Sequence, residues 1–241
     1  MGEERFYRKI MARKGLVSFR VVHKETDLHV QAKEDLSEQV SSWVLESRLA
    51  IEQYARKNPA FLTSLLPLPL DETAPPIVKT MLEAGRRVGV GPMASVAGTI
   101  AQYVGSKIAE VTGGEVVVEN GGDIFLHLKG VVEAGIWAGN SPFSGKIALR
   151  FKGKLQPIGL CTSSGTVGHS LSLGASDAVT VLSKSASIAD ALATAGGNMV
   201  KSQGDVKNAL AFLQDHPDCL AALVISRDKL GIFGDVELVK L

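Results

Sequence analysis

Residues 115–128, EVVVENGGDIFLHL, decide the fold. Valines on one side and Ile124-Phe125-Leu126 on the other are strand formers, and Asn120-Gly121-Gly122 supplies the backbone freedom of a tight hairpin. Two antiparallel strands therefore meet at this turn. Working outward, EAGIWAG (133–139), KIALRF (146–151) and DAVTVL (177–182) read as further strands, and LAALVIS (220–226) with GIFGDVELV (231–239) as a closing pair. LVSFRVVHKETDLHVQ (16–31) reads as a hairpin around KETD.

Helical spacing fills the gaps in no regular order. From Asp35, an expected N-cap, Leu36, Val40, Trp43, Val44, Ile51 and Tyr54 recur at helical spacing until Asn58-Pro59. Residues 61–76 are proline-rich and predict an extended connection, followed by a short helix over 77–86. Within 89–111, Met93, Ala97, Ile100, Val104 and Ile108 form an apolar stripe while Ala94, Gly98, Ala101 and Gly105 keep another face thin, fit for a neighbour, a ligand or a second subunit. SIADALATAGGNMV (187–200) predicts a small-residue helix and DVKNALAFLQD (205–215) a surface helix. This irregular alternation points to an α+β fold, antiparallel sheets packed with helices, rather than a parallel doubly wound sheet. We expect a single domain over 1–241, with hairpin, helix and proline-rich connection in 1–76, the core in 77–241, and Trp43 and Trp137 in the core.

Charge excludes several classes. With 26 basic against 25 acidic residues, and no basic run interleaved with aromatics, nucleic acid and membrane surfaces are not expected partners. Cys161 and Cys219 have no CxxC spacing, and the charged N-terminus lacks a signal-peptide apolar stretch, so the expected setting is a soluble, cytoplasmic one.

Four stretches could carry chemistry. Gly89-Val90-Gly91-Pro92-Met93-Ala94 satisfies GxGxxA, but a helix tail rather than a strand precedes it, so it reads as a glycine turn into a core helix or as an anion-binding helix start, not as a dinucleotide fingerprint. Glu119 to Asp123 is good hairpin chemistry, and equally lets a ligand lie against backbone beside an amide and a carboxylate. CTSSGTVGHS (161–170) lacks the GxSxG elbow, which leaves a Ser164–His169 hydrolase as a minor option beside a loop that offers hydroxyls and N–H groups to a phosphate or carbonyl. On a helix Asp190 and Thr194 share a face and put two hard oxygens together, as Mg2+ accepts. A capping pair of Ser187 with Asp190 explains the same residues.

GVGPMA, ENGGDI, CTSSGTVGHS and ADALATA occur in the order seen in the ApbE family of Mg2+-dependent flavin transferases, and the chain resembles the cytoplasmic branch of that family from the proline-rich stretch onward. The resemblance implies an α+β fold that binds FAD with Mg2+ at the pyrophosphate and transfers FMN to a hydroxyl of a protein target. Carried over, Asp190 and Thr194 become side-chain metal ligands, with Ala94 and Ala193 offering carbonyl oxygens. Asn120, Gly121, Gly122 and Asp123, together with Gly91, Met93 and Ser95, become cofactor-binding positions. Thr162, Ser163, Ser164 and Gly165 match the TSG turn, and His169 or Asp190 becomes the proton acceptor. Two departures stand out: Ser95 replaces the lysine that usually follows the alanine, and GHSLSLGASD lacks an Asp-Pro and a Thr-Gly pair. They leave room for a flavin- or nucleotide-binding assembly protein without transferase activity. The branch also resembles proteins linked in anaerobes to sulfur assimilation and homocysteine synthesis, which implies an accessory role there.

Overall fold

The computed structural model describes residues 13–165 and 174–241. Its framework is a nine-stranded sheet whose pairs are all antiparallel. The strands are β1 (Val17–His23), β2 (Thr26–Ala32), β3 (Val116–Asn120), β4 (Asp123–Gly135), β5 (Ile147–Ser163), β6 (Ala178–Ser183), β7 (Ala221–Ser226), β8 (Lys229–Gly234) and β9 (Glu237–Lys240). They lie side by side in order from β1 to β8, while β9 turns back onto β5. The α+β reading holds.

Helices among the described residues are α1 (Ser37–Lys57), α2 (Ala60–Thr63), α3 (Pro76–Val88), α4 (Val96–Thr112), α5 (Ala186–Met199) and α6 (Val206–Asp215). A 3-10 turn over Pro92–Ser95 leads into α4, and another over Gln203–Asp205 leads into α6. None of these helices is long and apolar enough to cross a membrane.

Alternation divides the sheet residues between two cores. Val116, Val118, Val179, Val181, Ala222 and Val224 face the helices, in one cluster with Val40 and Val44 of α1, Met81 and Leu82 of α3 and Leu192 of α5. Val117, Leu126, Leu160, Leu182, Leu223 and Ile225 face the other way. There the long strands β4 and β5 bend past a register shift between His127 and Lys129, and Val132, Leu149 and Phe151 close over the second core. Because both faces are covered, β3, β6 and β7 are buried along their whole length, apolar apart from Glu119, Asn120, Thr180, Ser183 and Ser226.

Several local expectations change. The first hairpin turns on two residues, Lys24 and Glu25, because His23 pairs with Thr26, so half of KETD is strand. Leu36, not Asp35, is the cap of α1, and Asp35 Oδ1 instead accepts the Ser37 N–H at 2.9 Å. The proline-rich segment opens with α2, whose Phe61 is fully buried, and after an irregular stretch turns at Asp71, where Ala74 N–H donates to Asp71 O at 3.1 Å, before α3 begins. β4 stops at Gly135, short of Trp137, and both tryptophans are only half-buried.

Candidate functional site

The ENGGD turn, the end of β5 and the start of α5 come together where α4 crosses α5. Asn120 pairs with Asp123 across Gly121-Gly122, and Gly121 takes a left-handed φ of 74° that suits glycine. Gly122 O accepts the Thr162 N–H at 2.9 Å, and a Cβ on Gly122 would sit 2.7 Å from Thr162 O, so the turn lies flat on the TSSG strand end. Asp123 is thereby placed opposite Cys161 in the β4–β5 register.

Glycine also sets the helix crossing. A Cβ at Gly98 would lie 2.3 Å from Ala186 O and 2.8 Å from the Asp190 Cβ, so only glycine lets α4 and α5 approach this closely. The thin face seen in the sequence is thus used inside the molecule, with Gly105 against the Phe125 ring. In the gap so made, Gly98 N–H donates to Asp190 Oδ2 at 2.8 Å, and Thr99 Oγ1 meets Ser187 Oγ at 2.7 Å. Gln102 Oε1 accepts the Ser185 hydroxyl at 2.9 Å and the Ala186 N–H at 2.7 Å. Ser187 is therefore not the cap of α5. Ser185 is, its extended backbone letting Oγ accept the Ile188 N–H.

The proposed metal ligands converge from distant segments. Thr194 Oγ1 donates to Ala94 O at 3.4 Å, and Asp190, one turn earlier on α5, lies within hydrogen-bonding reach of Asp123. Asn120 Nδ2 donates to Ala97 O at 3.2 Å. Burial first, and the facing Asp123 second, push the Asp190 carboxyl well above the usual carboxylate range. The Cys161 thiol is pushed up by burial and then by the same two carboxylates, which keeps it protonated and unreactive. Two carboxylates in a poorly solvated spot repel one another, and a divalent cation between them, with the Thr194 hydroxyl and Ala94 carbonyl as further hard oxygens, removes that repulsion. The donor set fits Mg2+. Ala193 is fully buried within α5.

The remaining expected positions behave differently. Met93 and Ala94 are partly exposed at the 3-10 turn, whereas Ser95 is fully buried and its hydroxyl donates to Pro92 O at 2.9 Å, so its side chain supports the turn and does not face a ligand. Gly91 is buried beneath residues 64–65 and donates its N–H to Leu65 O at 2.9 Å. Thr162 Oγ1 meets Thr180 Oγ1 across the ladder, while Ser163 points at α5, its Oγ 3.3 Å from where a Gly197 Cβ would be. Ser164 is half-buried and Gly165 exposed. His169, and with it the Ser164–His169 pair, lies outside the described residues. Two residues escaped the sequence reading: Gln102, a lone amide in a small-residue helix, and Ser176, fully buried, whose Oγ has no hydrogen-bond partner among the described residues and lies 3.5 Å from the Gly197 Cβ position.

Solved structures of similar fold include the flavinyl transferase ApbE of Pseudomonas stutzeri in its apo form, with a TM-score of 0.62 and 14% identity, covering 93% of this chain and 94% of that one. The flavin transferase ApbE of Vibrio cholerae aligns with a TM-score of 0.58 and 12% identity over 90% of this chain and 96% of its own. In sequence, a UPF0280 protein of Methanocaldococcus jannaschii is 42% identical over 228 residues, 92% of each chain. One from Methanococcus aeolicus is 41% identical over 231 residues, 91% of this chain and 93% of its own. Residues 8–227 match the family model described as AbpE bacteria, and the chain belongs to that ApbE-like family.

Proposed function

We propose that the α4–α5 crossing binds FAD with Mg2+ and transfers FMN to a hydroxyl of a protein target, with AMP as leaving group. The observation that carries this reading is the convergence of Asp123, Asp190, Thr194 and the Ala94 carbonyl from three separate segments onto one half-buried spot beside a glycine turn. When bound, Mg2+ neutralises charge on the phosphoryl oxygens. Asp190 is held in place by the Gly98 N–H, so the crossing that needs glycine also orients the ligand carboxylate. Gly121, with its left-handed φ, admits the nucleotide against backbone beside Asn120 and Asp123. His169 or Asp190 takes the proton of the attacking hydroxyl in this scheme.

The target is a partner enzyme in a cytoplasmic setting, and an accessory role in sulfur assimilation would consist of maturing that partner. Calorimetric titration of FAD with and without Mg2+, repeated on Asp190→Ala, tests the site. Mg2+-dependent binding lost in the variant supports it, and FAD binding that ignores both the metal and the substitution removes it. A second reading, a nucleotide-binding assembly protein without transfer, is favoured by the inward Ser95 at the position where the transferases carry a cation. Release of AMP from FAD on adding a target protein separates the two.

A further inference from the structure

Consecutive residues of an extended segment face opposite ways, and Ser176 and Asp177 do so just before β6. Ser176 Oγ lies toward Gly197 of α5. Asp177 faces away: its N–H donates to Ile225 O at 2.9 Å and its carboxylate accepts the Arg227 N–H at 2.5 Å. It lines a cavity of about 590 Å3 together with Asn140, Pro142, Gln203, Arg227 and Asp228. These walls come from four separate stretches of chain, and none of them belongs to the α4–α5 site.

Arg227 is held there with care. Its backbone is left-handed, with φ 52°, a conformation that favours glycine or asparagine. Both of its backbone polar groups are pinned by other segments, the N–H by Asp177 and the carbonyl by the Ser141 hydroxyl at 2.7 Å. Lys24, in the first hairpin, also has φ 52°, but its ammonium pairs with Glu52 at 3.0 Å. Among the described residues nothing pairs with the Arg227 guanidinium. Arg227 is the first residue of the two-residue turn between β7 and β8, the place Lys24 holds in the first hairpin, and what sets it apart is a guanidinium left open to the cavity.

The charges choose the ligand. One guanidinium and the carboxylates of Asp177 and Asp228 line a single cavity, with Asp228 accepting from Gln203 Nε2. A plain anion would meet two carboxylates, and a plain cation would meet the guanidinium. A molecule carrying both signs a few bonds apart is complementary to both. We propose that this cavity binds a free α-amino acid as its zwitterion. The ligand carboxylate lies in the Arg227 fork, the ammonium faces Asp228, and the side chain lies over Pro142.

The experiment is calorimetric titration of the full chain with the common L-amino acids, and with the N-acetyl and carboxamide derivatives of any that binds. Arg227→Gly removes the guanidinium while relieving the left-handed backbone, so the hairpin keeps its fold. Asp228→Asn removes the charge and keeps an oxygen for Gln203. Saturable binding of at least one amino acid is expected, weakened about tenfold or more in each variant and in both derivatives, as loss of a charged hydrogen bond predicts. FAD titration of Arg227→Gly should match the unmodified protein, since the two sites are separate. Absence of binding by every amino acid, binding that survives Arg227→Gly, or an N-acetyl derivative as tight as its parent would each overturn the proposal.

Discussion

Two helix interfaces above the same sheet are built on opposite principles. α1 buries Val40, Val44 and Ile51 beside a lone Ser47, and α3 buries Ile77, Val78, Met81 and Leu82; these apolar side chains share one water-excluding cluster that specifies volume. Where α4 meets α5, glycine, serine, threonine, glutamine and aspartate replace those side chains, and hydrogen bonds specify distance. The first interface accumulates stability through contact area. The second gives up apolar area so that backbone and carboxylates stand close together, and that is where the candidate site lies.

The contrast can be broken most directly at Gly98. Gly98→Val places branched carbons where even a Cβ is 2.3 Å from Ala186 O, and should cost about 3 kcal/mol or more in urea denaturation, with FAD binding lost as well. A variant of unchanged stability would mean that the seam yields as an apolar layer does. Next, Met81→Ala, at a fully buried position of α3, should cost about 3 kcal/mol from the cavity it leaves and yet keep the FAD affinity of the unmodified protein. Loss of affinity there would erase the distinction between the two interfaces.

Asp190→Asn should act in the other direction. The raised pKa means that the folded state holds the Asp190 proton more tightly than the unfolded chain does. Metal-free stability is therefore greatest at low pH and falls as pH climbs from about 4 through the raised value. Asparagine keeps an oxygen for the Gly98 N–H and removes that decline, so the variant melts higher near neutral pH without Mg2+, and only the unmodified protein gains from adding it. Identical pH profiles for the two would show that the carboxylate pair carries no repulsion. The smallest change is expected from Ser185→Ala, about 1 kcal/mol, because one cap of α5 is lost while its packing stays.

The strands were legible because three valines and two glycines around Asn120 leave little else for the backbone to do, and α4 and α5 were legible from helical period. Their junctions were not. Ser185 and Ser187 offer the same hydroxyl two residues apart, and only the extended backbone at Ser185, with φ −131° and ψ 126°, makes it the cap. Nothing in GIFGDVELV says that β9 leaves β8 to pair with β5, since register partners are chosen by the whole sheet. For the site, the spacing of Asp190 and Thr194 predicted their shared face, but Asp123 beside Asp190 is a tertiary fact with no local signal. The resemblance named both residues but assigned Asp123 to the nucleotide and Asp190 to the metal, not one against the other. It placed Ser95 at the ligand, whereas a 3-10 turn rotates that hydroxyl inward to Pro92.

The seat of Gly91 under residues 64–65, where an added Cβ would be 1.8 Å from Ser64 O, makes the proline-rich segment a wall of the molecule and not a tether. The same N-terminal portion carries β2, which lends Leu28–Gln31 to the ladder of β3. A cut in the exposed turn near Glu72 would therefore leave two pieces, each with an open strand edge and an apolar face shaped for the other. Expressed separately and mixed, they are expected to reassemble by complementation, which would turn this chain into a split reporter whose joining restores the crossing of α4 and α5.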